Sequence, residues 1–255
     1  MKISQIKCKT ALSKSNLPGL DYSLNPYRGC QHSCAYCYVP NVLRIKRSEW
    51  GSFVDVKKNI PVVLSNELRF KKPGVVAIST VTDPYQPVEK KFMLTRYCLE
   101  QLLIHDFPVC IQTKSDLIKR DIDLISKFYK SEVMFSIATI NDSERILLEP
   151  NSPSIKKRLN ALKSFSDLGI KTSIFFGPIY PTIKIKDLSN IIDVFIENGA
   201  KEIMIDKLNL KPGIKENVEK FLKCKIKTNL ENYESINKTL FQIAKEKKIK
   251  IVNAF

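Results

Sequence analysis

Short apolar runs alternate with amphipathic segments along most of the chain, and this alternation restricts the fold more than any other feature of the sequence. The runs are rich in β-branched and aromatic residues, as strands are. The segments between them are long enough for the helical crossovers that parallel strand pairing requires. The runs occupy residues 74–82, 107–114, 131–140, 170–180 and 200–209. This order predicts an α/β fold with a parallel sheet.

Helical periodicity is clearest in residues 152–169, where the apolar residues recur on one face. Ser152 is predicted to be the N-cap, Pro153 to lie in the first turn, and Gly169 to end the helix. Further helices are predicted at residues 88–106, 119–130, 187–199 and 231–247.

The number of strand–helix units favours a partial barrel. About six units are too few for a closed eight-fold barrel and predict a partial (β/α)6 TIM-like barrel of parallel strands, with an open doubly wound sheet as the alternative. No linker, repeat or low-complexity stretch divides the sequence, so residues 1–255 are predicted to form a single domain. Its core would span about residues 20–210, and residues 211–255 would form an extension with a helix and a last strand.

Polar side chains follow the apolar runs at the positions where a parallel sheet gathers its functional groups. Thr82 and Asp83 follow the first run, Lys114 follows the second, and Ser136 and Thr139 end the third. Because the carboxyl ends of parallel strands meet at one edge of a sheet, these side chains are expected to face a common site. Ser136 and Thr139 are three residues apart, so on a regular strand they would point to opposite faces.

The charge balance leaves two interpretations open. The chain has 42 Lys and Arg against 26 Asp and Glu, a formal net charge of +16. The excess either keeps the surface soluble or gives affinity for a polyanion, most often nucleic acid.

Localisation is predicted from the apolar runs and the cysteines. No apolar run approaches the ~20 residues of a membrane span, and the first residues lack the apolar stretch of a signal peptide. The seven cysteines are odd in number, and three are too tightly clustered for a disulfide framework. These features predict a cytoplasmic protein whose thiols stay reduced.

The tightest cysteine cluster is RGCQHSCAYCYVP, in which Cys30, Cys34 and Cys37 are spaced as C-x3-C-x2-C. Such a loop can aim three thiolates at one point, and thiolates suit zinc or an iron–sulfur cluster. Zinc would require a fourth ligand, for which the candidates are His32 and four distant cysteines: Cys8, Cys98, Cys110 and Cys224. A cubane cluster with three protein ligands would instead leave one iron open for a substrate or cofactor.

The cysteine loop, with Tyr36 before its last cysteine, resembles that of the radical S-adenosylmethionine (radical SAM) superfamily. An ordered set of further segments resembles the branch that contains spore photoproduct lyase, often called DNA-repair-photolyase-like proteins: NPYRGCQHSCAYCYVP, TVTDPYQPVE, LTR, QTKSDLIKRDIDLI, SIAT, LEPNSPSIKKRL and GPIYP. The resemblance covers residues from about 22 to 182 and implies the partial (β/α)6 barrel of that family.

The resemblance implies a cofactor set and a reaction type. Cys30, Cys34 and Cys37 would bind three irons of a [4Fe–4S] cluster, and SAM would chelate the fourth iron. Reductive cleavage of SAM would give a 5′-deoxyadenosyl radical that abstracts hydrogen from the substrate. The electron would come from a donor such as ferredoxin or flavodoxin. The substrate is expected to be nucleic acid, either a DNA lesion or an RNA nucleoside, with a protein, peptide or small metabolite as the alternative. A zinc-stapled nucleic-acid-binding protein is a more distant alternative.

The resemblance also assigns roles around SAM. Tyr36 would pack near the adenine, Thr82 and Asp83 near the methionine end, and Lys114 near the carboxylate. The hydroxyls of Ser136 and Thr139 would reach the ribose.

For other residues, alternative roles stay open. Tyr85 and Gln86 are candidates to face the substrate. Thr82-Asp83-Pro84 on its own is also typical of an Asx turn, and Arg120, Glu149 and Arg158 could form structural ion pairs.

One departure concerns the hydrogen donor. Spore photoproduct lyase uses a cysteine just after its second strand, where this chain has STVTDPYQ. We therefore predict that the chain does not repair the spore lesion by that route.

Overall fold

The computed structural model describes residues 1–223, 225–226 and 230–254, with the side chains of 230–232 excepted. Cys224, one of the distant cysteines considered above, lies outside the described residues. Among those residues, no helix has both the length and the apolar character needed to cross a membrane.

The strands of the described residues form two sheets. In chain order they are β1 Lys2–Ile6, β2 Leu12–Lys14, β3 Tyr22–Leu24, β4 Tyr27–Arg28, β5 Phe53–Lys57, β6 Val76–Ile78, β7 Val109–Thr113, β8 Ser131–Ser136, β9 Lys171–Phe176, β10 Glu202–Ile205 and β11 Lys250–Asn253. The main sheet has the order β11-β10-β9-β8-β7-β6-β3-β2, and β1-β5-β4 form a small separate sheet.

All neighbours in the main sheet are parallel except β2, which pairs antiparallel with β3. The five apolar runs identified in the sequence become β6 to β10. The fold is thus an α/β partial TIM-like barrel, as predicted. β11 extends the same sheet beyond β10, which links the predicted extension to the core; the division into domains stays a prediction.

Helices connect the parallel strands. They are α1 Val39–Leu43, α2 Ile60–Leu68, α3 Glu89–Phe92, α4 Leu94–Ile104, α5 Ile122–Ile125, α6 Asp142–Leu148, α7 Ile155–Ser166, α8 Leu188–Glu197, α9 Ile214–Leu222 and α10 Leu230–Lys247, with 3-10 helices at Arg47–Glu49, Asp116–Asp121 and Ile185–Asp187. Their apolar faces cover the sheet, and the continuous core includes fully buried strand residues such as Ile78, Ile111, Phe135 and Ile174.

Three helix predictions needed correction. The predicted helix 88–106 is two helices, because Met93 takes a left-handed conformation (φ 52°) between α3 and α4. The predicted helix 119–130 begins inside a 3-10 helix. The N-cap of α7 is Ser154, whose Oγ accepts from Lys157 N, while Ser152 is used in a buried polar network described below.

The first strands were missed in the sequence. β3 and β4 have only three and two residues, too few to show a periodic pattern. They matter for the site because the cysteine loop begins directly after β4.

Candidate active site at the carboxyl ends of the strands

A cavity opens at the carboxyl ends of β6 to β10, and the cysteine loop forms one wall of it. Cys30, Cys34 and Cys37 all line this cavity, together with Tyr36. Lining residues from the strand ends include Thr82, Asp83, Lys114, Ser136 and Asp206. The cysteine loop and the strand-end polar groups therefore meet at one place, as the sequence predicted.

The backbone of the cysteine loop is shaped by a glycine and fixed by the neighbouring strand. Gly29 has φ +89°, and a Cβ there would clash with the carbonyl oxygen of Phe53. Its own carbonyl accepts from Thr82 Oγ1 at 2.6 Å and from Gln86 Nε2 at 3.3 Å. Only glycine fits this position without rearrangement.

The three loop thiols are placed to bind a metal centre. Cys30 and Cys34 are buried and Cys37 is half-buried. Burial raises the pKa of each thiol, that of Cys30 to about 12, so the thiolates need a bound cation to be stable. All three cysteines line one cavity, and thiolate ligands are those that hold iron–sulfur clusters.

Asp83 fastens the loop after β6 to the end of β7. Its carboxylate accepts hydrogen bonds from Tyr85 N, Thr113 Oγ1 and Lys114 N at 2.7–2.9 Å. His32 Nε2 lies 3.3 Å from the same carboxylate. Burial alone would raise the pKa of Asp83, but His32 and these hydrogen bonds lower it to about 2. Asp83 thus forms the Asx turn considered from the sequence and also lines the cavity.

Tyr85 and Gln86 do not face the cavity, which corrects the expectation that they contact substrate. Both side chains are fully buried outside its lining. Gln86 Nε2 donates to Thr82 Oγ1 at 2.9 Å, and Gln86 Oε1 accepts from Gln31 N at 2.9 Å. Gln86 therefore supports the cysteine loop from behind.

Lys114 and Tyr36 stand together in the cavity. The Lys114 ammonium lies 5.8 Å from the centroid of the Tyr36 ring, in cation–π range. Burial alone would lower the pKa of Lys114, but its electrostatic interactions with Cys34 and Glu149 outweigh burial and raise it. Lys114 is therefore a cation at neutral pH.

Behind Tyr36 lies a buried polar network. The Tyr36 hydroxyl donates to Glu149, and Glu149 pairs with Arg158, whose side chain is wholly enclosed. Ser152 Oγ donates to Glu149 Oε2 at 3.1 Å. Burial alone would raise the pKa of Glu149, but Arg158 and Lys114 lower it to about 2. The ion pair anticipated for Glu149 and Arg158 is present, and it also orients a residue of the cavity wall.

Of the two hydroxyl residues Ser136 and Thr139, only Ser136 lines the cavity. Ser136 ends β8, lines the cavity and accepts from Gln112 Nε2 at 3.2 Å. Thr139 lies beyond the strand, where its hydroxyl donates to Glu144 at 2.7 Å and accepts from Asn141 N. Thr139 thus supports the start of α6 and is not part of the cavity lining, which corrects its assignment to the ribose.

Several lining residues were missed in the sequence. They are Tyr38 and Trp50 beside the cysteine loop, and Asp206, Lys207 and Asn209 after β10. The rule that strand ends carry function could have found the last three, because they lie at the end of the fifth apolar run, just after β10.

The family profile of the Radical SAM superfamily matches residues 24–195, which is most of the chain and contains the whole cysteine loop. The chain belongs to the radical SAM superfamily. This radical SAM protein is therefore an enzyme whose cofactors are a [4Fe–4S] cluster and SAM, and this assignment replaces the zinc-stapled alternative.

Relatives of this radical SAM enzyme include an uncharacterized protein of Methanocaldococcus jannaschii. It is 38% identical over 184 residues, covering 72% of this chain and 70% of the relative. An uncharacterized protein of Acidianus two-tailed virus is 28% identical over 239 residues, covering 87% and 78% of the two chains.

Solved structures share the fold. A variant of spore photoproduct lyase with dinucleoside spore photoproduct has a TM-score of 0.75 at 14% identity, covering 99% of this chain and 81% of that one. SuiB of Streptococcus suis, bound to S-adenosylmethionine, has a TM-score of 0.58 at 13% identity, covering 90% and 45%. The radical SAM fold is common to all three proteins.

Proposed function

We propose that Cys30, Cys34 and Cys37 bind the [4Fe–4S] cluster and that the cavity beside them holds SAM and the substrate carbon that reacts. The observation that carries this proposal is the shared lining: the three loop thiols, Lys114 and the strand-end hydroxyls face one cavity. When bound and reduced, the cluster with SAM supplies a 5′-deoxyadenosyl radical that abstracts a hydrogen atom from the substrate.

The residues of the chain would bind and orient SAM. Lys114 would pair with its carboxylate, since a cation at a strand end favours an anionic group. Tyr36, fixed by its hydroxyl bond to Glu149, would offer its ring as an apolar wall. Thr82 and Ser136 also line the cavity. The Ser136 hydroxyl would donate a hydrogen bond, and Thr82 Oγ1, whose proton goes to the Gly29 carbonyl, would accept one. Asp83 would act by positioning the backbone of Lys114.

Replacing Lys114 by methionine should weaken SAM binding about tenfold or more, because a hydrogen bond to a charged group contributes roughly 1.5–3 kcal/mol. The measurement is calorimetric titration of the cluster-loaded enzyme with SAM under anaerobic conditions. Lys119→Met is the matched control, since Lys119 is exposed on the neighbouring 3-10 helix and does not line the cavity. Equal SAM affinity in the Lys114 variant and the wild type would remove Lys114 from the SAM site.

The substrate proposed is nucleic acid. Two observations support it: the formal charge of +16 and the similarity of fold to spore photoproduct lyase, solved with a dinucleoside lesion. The part of the cavity lined by Asp206, Lys207 and Asn209 would contact the base or sugar, because these side chains provide both donors and acceptors.

We expect binding to tRNA or duplex DNA to weaken at least tenfold between roughly 50 and 200 mM salt, because cationic contacts to phosphates release counterions. Fluorescence anisotropy with labelled nucleic acids measures the slope. Weak binding without a salt slope would contradict a nucleic-acid substrate and favour a peptide or small metabolite.

We do not expect this enzyme to repair the spore lesion with a cysteine as the hydrogen-atom donor. Among the described residues, the cavity has no cysteine besides Cys30, Cys34 and Cys37. With those thiols bound to iron, none remains to return a hydrogen atom. Catalytic release of thymines from spore-photoproduct DNA by the wild-type enzyme would overturn this conclusion.

The enzyme also needs an electron donor. A [4Fe–4S] cluster accepts one electron at a time, and a ferredoxin or flavodoxin would supply it. The described cysteines are free rather than paired, which supports a reducing, cytoplasmic location.

A further inference from the structure

Trp50 is the single tryptophan of the chain and lies against the cysteine loop. It directly follows the 3-10 helix Arg47–Glu49 and is buried in a small cluster with Cys30 and Val39, against which Cys37 packs. It also lines the cavity. A large aromatic side chain thus contacts the loop that carries the proposed cluster ligands.

Residues on both sides of Trp50 contact the cysteine loop. Arg47 Nη1 donates to the carbonyl oxygen of Cys37 at 2.9 Å. Ser33 Oγ donates to the carbonyl oxygen of Trp50 at 3.4 Å. Gly51 has φ +86°, and a Cβ there would collide with the Ser33 side chain. The position of the indole relative to Cys37 is therefore fixed by contacts on both sides of it.

The indole N–H of Trp50 is a buried donor without an aligned acceptor in the part of the chain that the structure describes. An indole nitrogen can only donate, and a buried donor left without a hydrogen bond is destabilising. Cys37 packs against the same small cluster as the indole, and Arg47, three residues before Trp50, bonds to the Cys37 carbonyl oxygen. An iron-bound Cys37 sulfur would carry negative charge and so provide the acceptor that this N–H lacks.

We propose that Trp50 is a positioning residue for the cluster, with its indole N–H donating a hydrogen bond to the Cys37 sulfur once that sulfur binds iron. This inference rests on the proposed assignment of Cys37 as a ligand. Hydrogen bonds to the sulfurs of an iron–sulfur cluster are one determinant of its reduction potential. Reduction adds negative charge to the cluster, so the N–H stabilises the reduced state more and raises the potential.

Trp50→Phe tests the inference because phenylalanine keeps an aromatic ring and removes the donor. At a fixed potential, the ratio of reduced to oxidised cluster should fall about three- to tenfold, which is a shift of up to about 59 mV for one electron. A redox titration followed by electron paramagnetic resonance measures it. An unchanged reduction potential in a variant with full iron content would overturn the inference about Trp50. The proposed assignment of the cysteines as cluster ligands would still stand.

Val39→Ala is the matched control, since Val39 packs in the same cluster but has no side-chain donor. Loss of the Val39 methyl groups would admit water near the cluster. Because a more polar environment stabilises the more highly charged reduced cluster, reduction would become easier. Its potential should therefore stay constant or rise. A fall equal to that of Trp50→Phe would show that packing, and not the N–H, sets the potential.

A measurement on the unmodified chain removes any dependence on how the variants fold. Because the chain has one tryptophan, indole labelled with ¹⁵N places the label at Trp50 alone. Pulsed electron paramagnetic resonance of the reduced cluster should show a weakly coupled ¹⁵N nucleus and an exchangeable proton. Cluster binding without ¹⁵N coupling would overturn the inference, whereas absence of any cluster would instead contradict the proposed function.

Discussion

Alanine in place of Cys30, Cys34 or Cys37 should abolish SAM cleavage, lowering 5′-deoxyadenosine formation by more than about a hundredfold. The physical reason is loss of an iron ligand: even the outer partners of metal ligands cost about 10–100-fold when removed. Iron content should fall as well, measured after anaerobic reconstitution, while product is quantified by chromatography. The strands of the sheet should persist because the loop lies at their ends rather than in the core.

Cys110→Ala is the control for this prediction. Cys110 lies on β7 and is not among the residues that line the cavity. Its variant should retain iron and activity near those of the wild type. Full cleavage activity in any of the three loop variants would contradict the assignment of that cysteine as a ligand.

The second large effect is on stability. Arg158→Met should lower the free energy of unfolding by about 3–5 kcal/mol, because it leaves the Glu149 carboxylate buried without its partner. The arginine also donates to the carbonyl oxygens of Ser136 and Pro153 at 2.9 and 3.0 Å. Urea denaturation of the cluster-free protein at neutral pH measures the loss.

An exposed ion pair provides the comparison. Lys163 and Asp167 pair at 3.0 Å on the surface of α7, and Lys163→Ala should change the free energy of unfolding by less than about 0.5 kcal/mol. Equal losses in the two variants would show that burial of the Glu149–Arg158 pair has no energetic consequence.

Local sequence patterns predicted the central strands and part of the candidate site. The five central strands were predictable because each lies in a run of mainly apolar residues, most of which become buried or half-buried. The meeting of the cysteine loop and Lys114 at one cavity was predictable because the cysteines are tightly spaced and Lys114 lies at the end of an apolar run. In each case the signal is local, within about ten residues.

Features that depend on distant parts of the chain were not predictable. Tyr36 is oriented by Glu149, which is 113 residues away in sequence. Trp50 and Gln86 look like ordinary core or turn residues until the folded chain places them against the cysteine loop. The resemblance assigned Thr139 to the ribose, but β8 ends at Ser136, and beyond the strand the Thr139 hydroxyl donates to Glu144.

Helix boundaries failed for a related reason. Met93 adopts a left-handed conformation that a non-glycine residue rarely takes, and no residue type at that position signals it. The break separates α3 from α4, and across it the Glu89 carboxylate accepts from the amide nitrogen of Thr95 at 3.1 Å. The same carboxylate pairs with Arg120, which is 31 residues away in sequence. A tertiary contact of that kind overrides helical periodicity.

Anaerobic reconstitution of the wild-type chain is the decisive test of radical SAM chemistry in this enzyme. The purified protein is supplied with iron, sulfide, SAM and a strong one-electron reductant, and metal and product are then quantified. We expect about four irons and four sulfides per chain and formation of 5′-deoxyadenosine. A chain that retains zinc, or one that binds the cluster but forms no 5′-deoxyadenosine, would contradict the assignment.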